Sequence, residues 1–185
     1  SRREIELLKR AGAVVADVLS KLQEVIKPGI STGELNEIAE KITAQHGATG
    51  LFKGVRSPYA KRPFPAVICS SINEQVVHGI PSRSVIVRQG DILSIDYGCR
   101  LDGYCGDAAI TVPVGDISDE NRRLIEATRR ILGIAIEMSR PGVKWSQVAA
   151  EMQRYAEKAG FAVVRDYVGH GIGKEMHEEP RVPNF

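Results

Sequence analysis

A helix–Pro-Gly–helix segment occurs twice in this chain, and the repeat limits the folds open to it. Ile5, Leu8, Ala11, Val15, Val18, Leu19, Leu22 and Ile26 recur mostly at three- and four-residue spacing, the signature of an amphipathic helix. Pro28-Gly29 ends that run. Ser31 with Glu34 then forms a capping box, opening a second helix through "GELNEIAEKITAQ" that Gly47 closes. The order returns as "RRLIEATRRILGIAIEMS", Pro141-Gly142 and "SQVAAEMQRYAEKA", running to Gly160. The copies superpose without a gap at a shift of 113 positions: Pro28 on Pro141, Gly29 on Gly142, Ile30 on Val143, Leu35 on Val148, Ile42 on Tyr155 and Gly47 on Gly160. Helix–Pro-Gly–helix alone is common. An ungapped match of both breakers and the apolar positions points instead to one domain of two related halves, about 1–115 and 116–185.

The halves part company after their helix pairs. Beyond Gly47 come the strand-like runs "PAVICSSI", "DILSIDYG" and "GYCGDAAITVPV", giving an α+β chain. Beyond Gly160 only 25 residues remain, and the counterparts of Asp96 and Asp107 would fall near 209 and 220. The second half is therefore expected to be cut short at Phe185.

Composition excludes several functions. The net charge is +2, from 25 basic and 23 acidic residues with no block of one sign, so neither nucleic acid nor an anionic membrane is an expected partner. The opening "SRREIELLKRAG" is charged throughout, unlike a secretory signal. No apolar run approaches the length of a membrane helix. Three cysteines, Cys69, Cys99 and Cys105, lack zinc-ligand spacing and suit a reducing compartment, so a cytoplasmic location is expected.

The stretch "SIDYGCRLDGYCGD" places Asp96 and Asp107 inside an expected hairpin. Asp102-Gly103 is a strong two-residue turn signal; it pairs Leu101 with Tyr104 and sets Asp96 opposite Ala109. Asp107 is then diagonal to Asp96 on the same face, because side chains alternate along a strand. Carboxylates are costly inside a sheet unless something pairs with them. A solvent-facing sheet surface and a shared cation both remain open at this point.

Of four histidines, His46 beside Gly47 reads as structural at a helix end. His78 in "NEQVVHGIP", and His170 and His177 in "GHGIGKEMHEEP", stand beside glycine-rich turns that let a backbone or ligand approach. Together with the aspartates they make a coherent set of ligands and acid–base groups. Several other motifs fail. "GHGIG" is an incomplete dinucleotide fingerprint, "HEEP" does not complete a zincin motif, and no nucleophile elbow is present. Cys69, after "PAVI", reads as a packing residue.

"SINEQVVHGIP", "SIDYGCRLDGYCGD" and "GHGIGKEMHEEP", in that order, resemble the methionine aminopeptidases of the bacterial type I class. The resemblance runs from "REIELLKRAG" to the last residue and includes the interval of 63 positions from Asp107 to His170. It implies the pseudo-two-fold "pita-bread" fold, a curved antiparallel sheet covered by two helix pairs. It also implies hydrolytic removal of the initiator methionine from nascent polypeptides, assisted by two divalent ions (Co, Mn, Fe or Zn). N-terminal Met peptides and nascent chains are the implied partners, with ribosome association among the expectations. By the same resemblance Asp96 is a bidentate metal ligand, Asp107 a bridging carboxylate and His170 an imidazole ligand. His78 and His177 face the substrate, while Cys69 and Phe64 wall the methionine pocket. A non-catalytic binding module of the same fold and a proline-dipeptidase-like exopeptidase are the alternatives.

This sequence departs from the family in places. Cys105 stands where the family often has His, Met176 where it often has an aromatic, and "SPYAKRPFP" differs from the usual pocket loop. The family's two glutamate ligands would lie after Phe185, so the 185-residue chain alone is expected to be inactive.

Overall fold

The computed structural model describes residues 1–56 and 61–185. It divides into two compact units, one of Ser1–Ile117 with Ile172–Met176, the other of Ser118–Gly171 with His177–Phe185.

In the first unit, α1 (Arg2–Val25) buries Ala11, Val14, Val15, Val18, Leu19 and Leu22, the stripe that the spacing predicts. Pro28 and Gly29, the latter at φ +95°, turn the chain. At the start of α2 (Thr32–Gln45), Ser31 Oγ accepts the Glu34 amide while the Glu34 carboxylate accepts the Ser31 amide, the predicted capping box. His46 caps the far end of α2 and pairs with Asp17 at 2.7 Å, which holds the Asp17 carboxyl below its ordinary range. The structural reading of His46 holds.

Four strands come next: β1 (Thr49–Gly50), β2 (Ile68–Ile72), β3 (Ile92–Leu101) and β4 (Tyr104–Pro113), with β1, β2 and β4 all pairing antiparallel with β3. β4 lies along one edge of β3, and β1 and β2 succeed one another along the other. Asp102 and Gly103 adopt φ +50° and +82°, the left-handed pair that a tight hairpin turn needs. Leu101 faces Tyr104 and Asp96 faces Ala109, the predicted register. Leu93, Ile95, Tyr97 and Cys99 alternate onto the face that packs with Val14, Val18, Leu22, Leu35 and Ile42. Contact with α1 is close: a Cβ at Gly106 would stand 2.8 Å from the Ala11 carbonyl carbon.

In the second unit, α3 (Asp119–Met138) and α4 (Trp145–Lys158) share a small core of Ile134, Val148, Ala149 and Met152. The repeat extends to the backbone. Gly142 and Gly160 take φ +88° and +86°, as their counterparts Gly29 and Gly47 take +95° and +64°. Lys144 stands in the place of Ser31 and supplies no side-chain cap. Two short strands, β5 (Gly169–Gly171) and β6 (Glu178–Val182), pair antiparallel. No helix is long and apolar enough to cross a membrane among the described residues.

Candidate functional site

Directly opposed residues in an antiparallel ladder point to the same side of the sheet, so the register defines the second face of the first unit. It carries Cys69 and Ser71 from β2, Ser94, Asp96, Gly98 and Arg100 from β3, and Cys105, Asp107, Ala109 and Thr111 from β4. This is the polar face, opposite the one that packs on α1 and α2. Asp107 faces Gly98 and so lies diagonal to Asp96, as expected; both carboxylates are half-buried. Gly98 keeps this corner open, since a Cβ there would sit 3.4 Å from Asp107 Oδ1 and 3.2 Å from the Phe52 ring. A side chain at that position would fill the space beside the carboxylate.

Cys69 is opposite Asp96 and 5% exposed. Burial, reinforced by the charges of Asp96 and Asp107, pushes its thiol up to about 12. A thiol so raised stays protonated near neutral pH, which argues against a nucleophilic role. Phe64 is half-buried, and its backbone bonds to Gly54 and Val55 at 2.8 Å each. Residues 57–60 of the "SPYAKRPFP" stretch lie outside the described residues. His78 is exposed and held at φ +61°, a left-handed conformation that non-glycine residues adopt at a cost of order 1 kcal/mol.

In the second unit, His170 lies on β5 opposite Arg181, and His177 immediately precedes β6. Their rings are 4.4 Å apart, tilted by 60°. With Val168, Glu178 and Arg181 they border an open cavity of about 400 Å³. His170 Nδ1–H donates to the Gly171 carbonyl at 2.9 Å, a bond that places a proton on Nδ1.

Between the two histidines, Ile172–Met176 belongs to the first unit. Cys105 N–H donates to the Gly173 carbonyl at 2.8 Å, and its thiol to that of Lys174 at 3.3 Å. Arg100 meets Glu175 at 3.0 Å, and the Lys174 ammonium lies 5.9 Å from the centre of the Tyr104 ring. Here is a use for Cys105 where the resemblance leads one to expect His: it is 1% exposed and holds the loop. Sequence reasoning missed this docking and the Phe52 contact. Neither has a local signal; Cys105 and Lys174, for example, are 69 positions apart.

The expected residues thus divide between the two units, Phe64 and His78 lying in the first but outside its strands. Asp96, Asp107 and Cys69 share one sheet face in the first unit; His170 and His177 adjoin in the second. Among the described residues, no group of three or more His, Cys, Asp or Glu side chains is gathered into a cation cage. The chemistry of the donors nevertheless suits a hydrolytic divalent ion, with hard carboxylate oxygens on one sheet face and an imidazole whose Nδ1 proton is held by a carbonyl.

Comparison with known proteins gives one answer. The model of metallopeptidase family M24 matches residues 6–185. A methionine aminopeptidase of Aquifex aeolicus is 45% identical over 184 residues, covering 100% of this chain and 71% of that protein. The crystal structure of methionine aminopeptidase from Thermotoga maritima superposes with a TM-score of 0.93 at 38% identity, covering 100% of this chain and 72% of that one. Prolidase from Pyrococcus furiosus, at 21% identity, a TM-score of 0.83, and coverage of 100% and 52%, shares the fold alone.

Proposed function

We propose, from the premise that the chain belongs to metallopeptidase family M24 and to its methionine aminopeptidases, that it removes the initiator methionine from polypeptides by metal-assisted hydrolysis. One structural observation carries the reading: the β3–β4 register sets Asp96 and Asp107 diagonally on one sheet face, with Gly98 directly opposite Asp107. Two divalent ions, drawn from Co, Mn, Fe or Zn, are the proposed complement, with Asp96, Asp107 and His170 among their ligands. When bound, such ions polarise the scissile carbonyl and make water nucleophilic near neutral pH.

The chain's own side chains do the rest. His78 and His177 donate to the peptide and to the oxygen that gains charge as the carbonyl becomes tetrahedral. Cys69 and Phe64 wall an apolar pocket for the methionine side chain; the neutral thiol of Cys69 supports that role, since a thiolate there would repel a thioether. We assign both units to one catalytic domain, working in the cytoplasm on nascent chains, with docking to the ribosome part of the same reading. Three free cysteines agree with a reducing compartment.

The test is release of free methionine from Met-Ala-Ser by the full-length protein, with each of the four metals and after chelation. Metal-restored release is expected. Cleavage of Xaa-Pro peptides with no methionine release under any metal would overturn the assignment.

A further inference from the structure

The loop that carries His78 is pinned to the sheet at both ends. At its start, Asn73 N–H donates to the Ile92 carbonyl at 3.0 Å, Asn73 Oδ1 accepts the Ile92 amide at 3.0 Å, and Asn73 Nδ2 donates to Asp91 at 2.8 Å. At its end, the Ser70 amide donates to the Gly79 carbonyl at 2.8 Å, and the Gly79 amide donates to Ser71 Oγ at 3.1 Å. Gly79 is buried so tightly against β2 that a Cβ would stand 2.0 Å from the Ser70 carbonyl oxygen. His78 is the residue immediately before this latch, and it is the one that departs to φ +61°.

A left-handed histidine has nothing intrinsic to keep it there; it persists only where its surroundings over-determine it. One of the two bonds on Gly79 is backbone to backbone and independent of side-chain identity. The other needs the hydroxyl of Ser71, which is 3% exposed and on the same sheet face as Cys69 and Asp96. Without it, a buried peptide N–H would lack its acceptor, and the His78–Gly79 peptide could rotate to relieve both faults. We infer that Ser71 is a positioning residue, holding His78 in its left-handed conformation toward the substrate through the Gly79 amide. The inference rests on the reading above for the role of His78, but not for the latch itself.

Ser71→Ala and Ser71→Thr, each made in the full-length protein alone and in a His78→Ala background, test it. Loss of the hydroxyl should speed exchange of the Gly79 amide by about fivefold, the weight of one net hydrogen bond. It should lower kcat on Met-Ala-Ser by about tenfold, with KM and metal content little changed, since a misplaced group costs rate rather than binding. Ser71→Thr, which keeps an acceptor, should restore both. In the His78→Ala background Ser71→Ala should cost nothing further, because the two act as one unit. Unchanged Gly79 exchange, or a full additional loss in that background, would overturn the inference. A wild type that releases no methionine would overturn the enzymatic reading instead, while Gly79 exchange would still decide the latch.

Discussion

His177 adjoins His170 in the second unit, and two imidazoles that close need not share a duty. His170 has its Nδ1 proton committed to Gly171, so Nε2 is the atom through which it would meet a cation. His177 is exposed at the start of a hairpin strand, suited to meeting a peptide. His177→Ala should therefore lower kcat by about 10²–10³, the scale of one oxyanion-type donor, with metal stoichiometry unchanged by elemental analysis. Loss of metal would make His177 a ligand. Cys69 gives a second residue-scale outcome. With its thiol pushed up to about 12, mainly by burial, it should resist iodoacetamide at a mildly alkaline pH in the native protein and react once unfolded, read by peptide mass.

Between the two copies of the helix pair, the element-scale difference lies in the caps. Ser31 accepts the Glu34 amide at the start of α2, whereas the Lys144 side chain offers α4 nothing, although Gln147 Oε1 still reaches back to the Lys144 amide at 3.4 Å. Ser31→Ala should cost about 1 kcal/mol and Lys144→Ser should add about 0.5–1 kcal/mol, both measured by urea denaturation. Equal responses would mean that the caps play no part. The elements that could be read ahead are those with local chemistry. Pro-Gly pairs and Ser31 with Glu34 mark the helix ends, and Asp102-Gly103 sets the hairpin register to the residue, which in turn places Asp96 and Asp107. Strand β1 has two residues, β5 reads Gly-His-Gly, and β6 includes two glutamates and a proline, so none has a strand pattern to read. They exist through their pairing partners, which no local pattern announces.

For the whole molecule, ligand linkage gives the broadest check. A divalent ion held only by the folded protein raises stability by about 2.7 kcal/mol at a hundredfold excess over its Kd. Titrating metal into the full-length protein should raise its melting temperature, and Asp96→Asn, nearly isosteric but a poor hard-cation ligand, should abolish the rise without lowering the metal-free melting point. A mutant that keeps the full rise would remove Asp96 from the ligand set. The order in which the chain is made adds a further constraint. The first unit is not contiguous, for it takes Ile172–Met176 as well as its leading residues. During synthesis at about 5–20 residues per second, the hairpin of β3 and β4 must wait roughly 3–12 s for the segment that satisfies the Cys105 amide. Until then the tip of that hairpin is an unfinished edge in a crowded cell. Chaperone occupancy on stalled chains should peak at lengths short of the emergence of Gly173 and fall once it has cleared the exit tunnel.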